Sequence, residues 1–170
     1  MKLLKLFAVA AFGLILRGDV FAGTGAFDNL VVRIQSFAAT YKADNILNEK
    51  VRNELEKEVV RAFPQGSRLT EVMDGFLVEP GTGAFGVGEE FQEVWYISLD
   101  NRPRTRGLSL VKYILEEGQY ELGPSIGYSL QQVIKRNPTI RECLTEGIAD
   151  VSRFRTYEEQ QAAIRAGRNQ

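Results

Sequence analysis

Between residues 67 and 79 the apolar positions Leu69, Val72, Met73, Phe76 and Leu77 fall at i, i+3, i+4, i+7 and i+8. That is the spacing of a stripe along one side of a helix. It predicts an amphipathic helix from Ser67 to Glu79, with Ser67 as N-cap and Pro80-Gly81 as its stop. The turn Phe63-Pro64-Gln65-Gly66 precedes it. The period then changes. From Glu93 to Leu99, Val94, Tyr96 and Ser98 alternate with Glu93, Trp95, Ile97 and Leu99, and Leu108 to Leu115 does the same with Ser109 and Lys112 inside it, so two strands are predicted. Asp100 to Gly107 joins them as an antiparallel hairpin. Glu116-Glu117-Gly118 makes the next turn, and Gln119 to Leu122 adds a short third strand.

Both flanks read as helical. Ile34, Phe37, Ala38 and Tyr41 share one side, and Leu47, Val51, Leu55 and Val59 recur every four residues. The stretch is one long helix or two helices meeting near Asp44-Asn45, and Pro64 ends it. Glu49, Lys50, Arg52, Glu54, Glu56, Lys57, Glu58 and Arg61 form the solvated side. Further on, Ser125 or Ser129 caps a helix that Asn137-Pro138 ends. Thr139-Ile140-Arg141-Glu142 and Thr156-Tyr157-Glu158-Glu159 both match the capping box. The last helix runs from about Tyr157 to Ala166 and closes at Gly167. The fold class is therefore α+β: N-terminal helices and an amphipathic helix packed on a small antiparallel sheet, with a helical C-terminal segment. The far side of that sheet is expected to be open.

The N-terminal segment has a different character. Lys2 and Lys5 precede an apolar run from Leu6 to Leu16, and Val20-Phe21-Ala22 stands before Gly23. This predicts a secretory signal at 1–22, with a single domain at 23–170 that is periplasmic or secreted. The run is too short for a membrane span, which takes about 20 apolar residues. Arg17-Gly18-Asp19 places charges that most such signals lack, and it leaves with the signal.

Composition removes more chemistry than it adds. The 170 residues carry 21 basic and 22 acidic side chains, so no overall field draws the chain to nucleic acid or an anionic membrane. Histidine is absent, which excludes histidine triads and histidine metal sites. The single cysteine, Cys143, makes neither an intrachain disulfide nor a cysteine-cluster zinc site. Its neighbours Ile140, Leu144 and Ile148 favour burial. Gly81-Thr82-Gly83-Ala84-Phe85-Gly86 matches GxGxxG, but a dinucleotide fingerprint follows a strand and opens a helix, whereas this run is expected to follow a helix and precede a strand. No cofactor is implied. The run is a helix-to-strand connection, with a partner-binding loop carrying Phe85 as the alternative.

The candidate contact residues are Arg102, Arg104 and Arg106 in the hairpin loop, and Trp95 and Tyr96 on the strand before it. Three arginines in one loop suit a carboxylate, a phosphate or an acidic protein surface, or they keep a solvated loop off other sheet edges. Trp95 and Tyr96 point to opposite faces, so one is expected in the core and the other exposed as an interface anchor. Tyr113 lies beside one of them. Glu89, Glu90, Glu93, Glu116 and Glu117 supply carboxylates without a distinguishing spacing.

The segment Phe63-Pro64-Gln65-Gly66-Ser67-Arg68-Leu69-Thr70-Glu71-Val72, followed by a short helix and an antiparallel sheet, resembles the SmpA/OmlA-type envelope lipoproteins and the related β-lactamase-inhibitor-protein-like fold. The resemblance covers about 55 residues at the level of fold. It implies a Gly-x-Ser turn opening a helix on a curved sheet, with exposed sheet and loops binding other proteins. The chain departs from those lipoproteins in having no lipid-attachment cysteine, and in its long helical flanks. The expected function is a secreted or periplasmic non-catalytic module that binds another protein through an exposed sheet face and loops. The alternatives are a small carboxylate-dependent hydrolase and a cytosolic chaperone-like regulatory domain that keeps its N-terminal helix.

Overall fold

The alternating stretches become the centre of a five-stranded antiparallel meander. The computed structural model describes residues 25–40, 49–81, 90–100, 107–129 and 139–168. The order is α1 (Ala26–Thr40), α2 (Glu49–Ala62), β1 (Arg68–Val72), β2 (Gly75–Glu79), β3 (Glu93–Asp100), β4 (Gly107–Glu116), β5 (Gln119–Ser129), α3 (Ile140–Ser152) and α4 (Tyr157–Arg168). The strands lie side by side in sequence order. The α+β class and the helical C-terminal end are as expected. The expected signal segment, Asp44-Asn45, Phe85 and Asn137-Pro138 lie outside the described residues.

The expected helix from Ser67 to Glu79 is instead the hairpin β1–β2, closed by Met73-Asp74 with Val72 paired to Gly75. Every residue of β2 is buried, because it lies between β1 and β3 with a helical layer on either side. A strand covered on both faces loses its polar alternation, and Phe76-Leu77-Val78 then mimics a helical stripe. Gly75 is required here: a Cβ would collide with the carbonyl oxygen of Ile97 on β3. Phe76 is core, but Met73 sits at the hairpin tip, 41% exposed. The turn before β1 forms one residue later than expected, over Pro64–Ser67. Ser67 N–H donates to the Pro64 carbonyl at 3.2 Å, and Gly66 has φ +90°, as a type II turn demands of its third residue. It opens a strand and not a helix. Gly81 N–H donates to Ser67 Oγ at 2.9 Å, bringing the start of the glycine run against this turn. That run therefore follows a strand, and the next described element is β3.

On the first face Phe76, Val78, Trp95, Ile97, Leu108 and Leu110 meet Leu55, Val59 and Phe63 from α2 and its end, and Cys143, Leu144 and Val151 from α3. Phe63 and Trp95 pack edge to face, 5.7 Å between ring centroids. Cys143 is buried, as its neighbours predict, and burial raises its thiol above the usual range. Arg141 ties α3 to α2 through Glu58, Nε to Oε2 at 2.7 Å and Nη2 to Oε1 at 3.1 Å. On the second face Ala26, Leu30 and Ile34 from α1 meet Val72, Leu77, Val94, Tyr96 and Tyr120. The open face expected from the sequence is thus occupied by α1, with Val111, Tyr113 and Leu115 half-buried beside it. Of the expected α1 stripe, Ile34 is buried and Phe37 is 61% exposed.

β5 runs well past Leu122, and Ser125 and Ser129, expected as helix caps, belong to it. Val111 pairs with Ser125 while Tyr113 pairs with Leu122, so β5 carries one extra residue at Gly123-Pro124. Proline fits a bulge on an edge strand, and a Cβ at Gly123 would lie 2.6 Å from the Lys112 carbonyl. Because side chains alternate, the extra residue turns Ile126 and Tyr128 to the first face, although Tyr120 points to the second. Glu117 and Gly118, at φ 50° and 79°, close the β4–β5 turn with the left-handed pair of a type I′ turn. Both capping boxes form. Thr139 and Glu142 exchange bonds at 2.6 and 3.3 Å, and Thr156 and Glu159 at 3.3 and 3.2 Å.

Candidate functional site

Trp95 and Tyr96 do point to opposite faces, but both are buried, at 3% and 9% exposure. Neither is the exposed anchor expected from the sequence, because helices cover both sides of β3. Trp95 packs on Phe63. Tyr96 donates its hydroxyl to Asp74 Oδ2 at 2.5 Å, and burial, then the neighbouring Asp74, hold its proton far more tightly than usual. Tyr113 stands opposite Val94, diagonal to Tyr96 on the second face. Arg102, Arg104 and Arg106 lie outside the described residues, between β3 and β4.

The buried polar groups were not legible in the sequence, and the fold engages most of them internally, while Asp74 Oδ1 is buried without a hydrogen-bond partner. Glu79 is 3% exposed and meets Arg68, its cross-strand partner, at 2.5 Å. Burial outweighs the arginine and raises the Glu79 carboxyl above the usual carboxylate range. Arg68 also stacks 5.2 Å from the centre of the Phe91 ring. Tyr120 donates to the Phe91 carbonyl at 2.5 Å, and Glu90 accepts from Phe27 N–H at 3.4 Å where α1 begins. On the first face Lys112, 2% exposed, donates to the Phe154 carbonyl at 2.7 Å and pairs with Glu93 at 3.2 Å. These contacts pin α1 and the α3–α4 connection to the sheet. Glu79 is a raised carboxyl of the kind that catalysis uses, but it is locked to Arg68 and lines neither groove described next.

One groove, of about 660 Å³, lies between α2 and the start of α3, lined by Glu54, Lys57, Glu58, Ile140 and Arg141 among others. The Glu58–Arg141 pair spans it and the capping box occupies the helix end, while Glu54 and Lys57 stand exposed at its edge. Another, about 280 Å³, lies between the β4–β5 hairpin and the first turn of α4. Its apolar part is Ile114 and Tyr157, with Glu116, Glu121 and Glu158 around it, and Leu122 borders it from the hairpin with its side chain turned, like that of its partner Tyr113, to the second face. Leu122 is 55% and Tyr157 38% exposed. No ion pair among the described residues engages those three carboxylates. The hairpin places Ile114 opposite Glu121, and the second capping box fixes where α4 starts. Of this groove the sequence marked only Glu116 as a carboxylate.

Among the described residues no three side chains of the metal-ligating types gather at one point, and no helix is long and apolar enough to cross a membrane. No protein-family model, curated protein or solved structure matches the chain.

Proposed function

We propose that the protein is a secreted or periplasmic, non-catalytic protein-binding module. Its contacts are made by the groove between the β4–β5 hairpin and α4, with the hairpin loop of Arg102, Arg104 and Arg106 as a second element. One observation carries this reading. Apart from Asp74 Oδ1, which is buried without a hydrogen-bond partner, the interior polar side chains described above are engaged within the fold, whereas Tyr157 and, at the groove's edge, Leu122 stand exposed near carboxylates that have no counter-ion among the described residues. An apolar centre within a charged rim is the composition of a contact surface. The basic, apolar and small-residue order of 1–22 supports export.

A photo-crosslinking residue placed at Leu122 or Arg104 in the native host is expected to yield a covalent adduct with a second polypeptide. The same residue at Val60, exposed on α2, is expected to yield none. Equal adducts at all three positions, or none at Leu122 and Arg104, would refute the reading. N-terminal sequencing of the host's protein tests export: a chain starting at Gly23 supports it, and one starting at Met1 refutes it.

A further inference from the structure

Ile114 forms the floor of the hairpin groove, and glutamates surround it. Glu93 stands opposite it on β3 and Glu121 opposite it on β5, so the two straddle it from strands about 10 Å apart. Glu116, two residues further along β4, points to the same face, and Glu158 closes the ring from the first turn of α4. The dipole of α4 suits Glu158, but it does not account for three glutamates brought to one place by three strands. Lys112, the preceding residue of β4 on that face, pairs with Glu93 and gives a hydrogen bond to the Phe154 carbonyl. It is 2% exposed and so held inside the fold. Arg155, which precedes α4, makes no ion pair among the described residues. Elsewhere the acids have partners: Glu58 meets Arg61 and Arg141, Glu71 meets Arg52, and Asp150 meets Arg153. Glu116, Glu121 and Glu158 are exposed and unmatched among the described residues. On a chain with 21 basic and 22 acidic residues, that is a local concentration of one sign.

We propose that the groove takes a basic segment of a partner protein, with the stem of an arginine or lysine over Ile114 and Tyr157 and its charged head among Glu116, Glu121 and Glu158. This rests on reading the groove as a contact surface, and it names the chemistry of the partner. Long basic side chains are apolar along the stem and charged at the tip, which matches an apolar floor inside an acidic rim. An arginine gains most, since its guanidinium stacks on an aromatic ring such as Tyr157 and meets a carboxylate through two hydrogen bonds. A neutral or acidic segment would leave the carboxylates without a counter-charge. The charges are exposed, so the association is weak and strongly salt-dependent.

The test is fluorescence anisotropy with a labelled peptide of alternating arginine and leucine, beside one with glutamate in place of arginine. The protein as its host makes it is expected to bind the first and not the second at low salt. Its affinity should fall at least about tenfold at half-molar salt as the screening length shortens. E116Q/E121Q/E158Q is expected to lower the affinity at least about tenfold, while E49Q/E54Q/E56Q on α2 changes it by less than about twofold. Both triples remove three charges from exposed side chains, so the comparison separates the groove from net charge, and thermal unfolding checks that both variants fold. Failure of the arginine peptide to bind, equal binding of the glutamate peptide, or equal losses in the two triples would overturn the proposal. If the crosslinker at Leu122 captures a polypeptide while the arginine peptide fails to bind, the contact reading stands and the basic partner falls. If neither binds, both fall.

Discussion

Gln160 occupies the place of a neighbouring strand at Ser125: its Nε2 donates to the Ser125 carbonyl at 2.7 Å, and its Oε1 accepts from the Ser125 N–H at 3.1 Å. One carboxamide thus takes both backbone groups of an edge residue just past the Gly123-Pro124 bulge. Arg33 does similar work at the Tyr120 carbonyl, at 2.8 Å. An uncovered edge is an invitation to pair with other chains, and here two side chains and a bulge close it.

Gln160→Ala should therefore act locally. Two net hydrogen bonds are lost, about 1–3 kcal/mol in total, from a helix that buries nothing else. Hydrogen exchange at the Ser125 amide and along α4 should speed up markedly, while exchange in β3 stays as it was. Unchanged protection at Ser125 would show that the helix is held by something else.

Gly75→Ala and Gly127→Ala should differ sharply. A Cβ at Gly75 meets the β3 backbone, which cannot move cheaply, whereas one at Gly127 meets nothing within 4 Å. Denaturant unfolding should show a loss of more than about 3 kcal/mol for the first and less than about 0.5 kcal/mol for the second.

Lys112→Ala should cost about 2–4 kcal/mol, through the cavity left under α3 and the unpaired Phe154 carbonyl. Lys112→Met refills the space without the charge and should recover about half of that. Equal losses for the two variants would mean that the ammonium alone matters.

Glu79 makes a pH prediction. Its carboxyl is raised in the fold, burial being the largest cause, so the folded state holds the proton more tightly than the unfolded chain. The stability contributed is fully present below the ordinary value of 4.5 and is lost as pH rises through the higher folded value. Relative to Glu79→Gln, the wild type should therefore lose stability on going from below 4.5 toward neutrality. A difference that moves the other way would show that the Arg68 pair outweighs burial.

Trp95→Ala should unfold or severely destabilise the protein, by about 3–5 kcal/mol, since the ring lies under α2. Leu122→Ala should leave the melting midpoint within about a degree or two, as a surface change does. Both follow from burial and can be read by thermal unfolding alone.

What was legible in the sequence was local. The two capping boxes, a turn around Pro64-Gly66 and the Glu117-Gly118 turn depend on residues within a few positions of each other, and all are found, the Pro64-Gly66 turn shifted by one residue to Pro64–Ser67. The helix expected at 67–79 failed because β2 has neighbours on both faces and so shows no polar alternation. The contrary signal was Gly75 inside the stripe, which a helix would tolerate only at a cost of about 1 kcal/mol. β5 was cut short for a related reason: Gly123-Pro124 reads as an ending but forms a bulge. The 280 Å³ groove joins residues 114–122 to 156–158, and no sequence window spans that distance. The open face failed because nothing in α1's own pattern says which layer it joins.

The extra residue in β5 has a mechanical outcome. Upstream of it the strand anchors Tyr120 among the residues beneath α1; downstream it sends Ile126 and Tyr128 into the layer beneath α2 and α3. A single edge ribbon thus contributes to both halves of the interior, so peeling it back would uncover the two together.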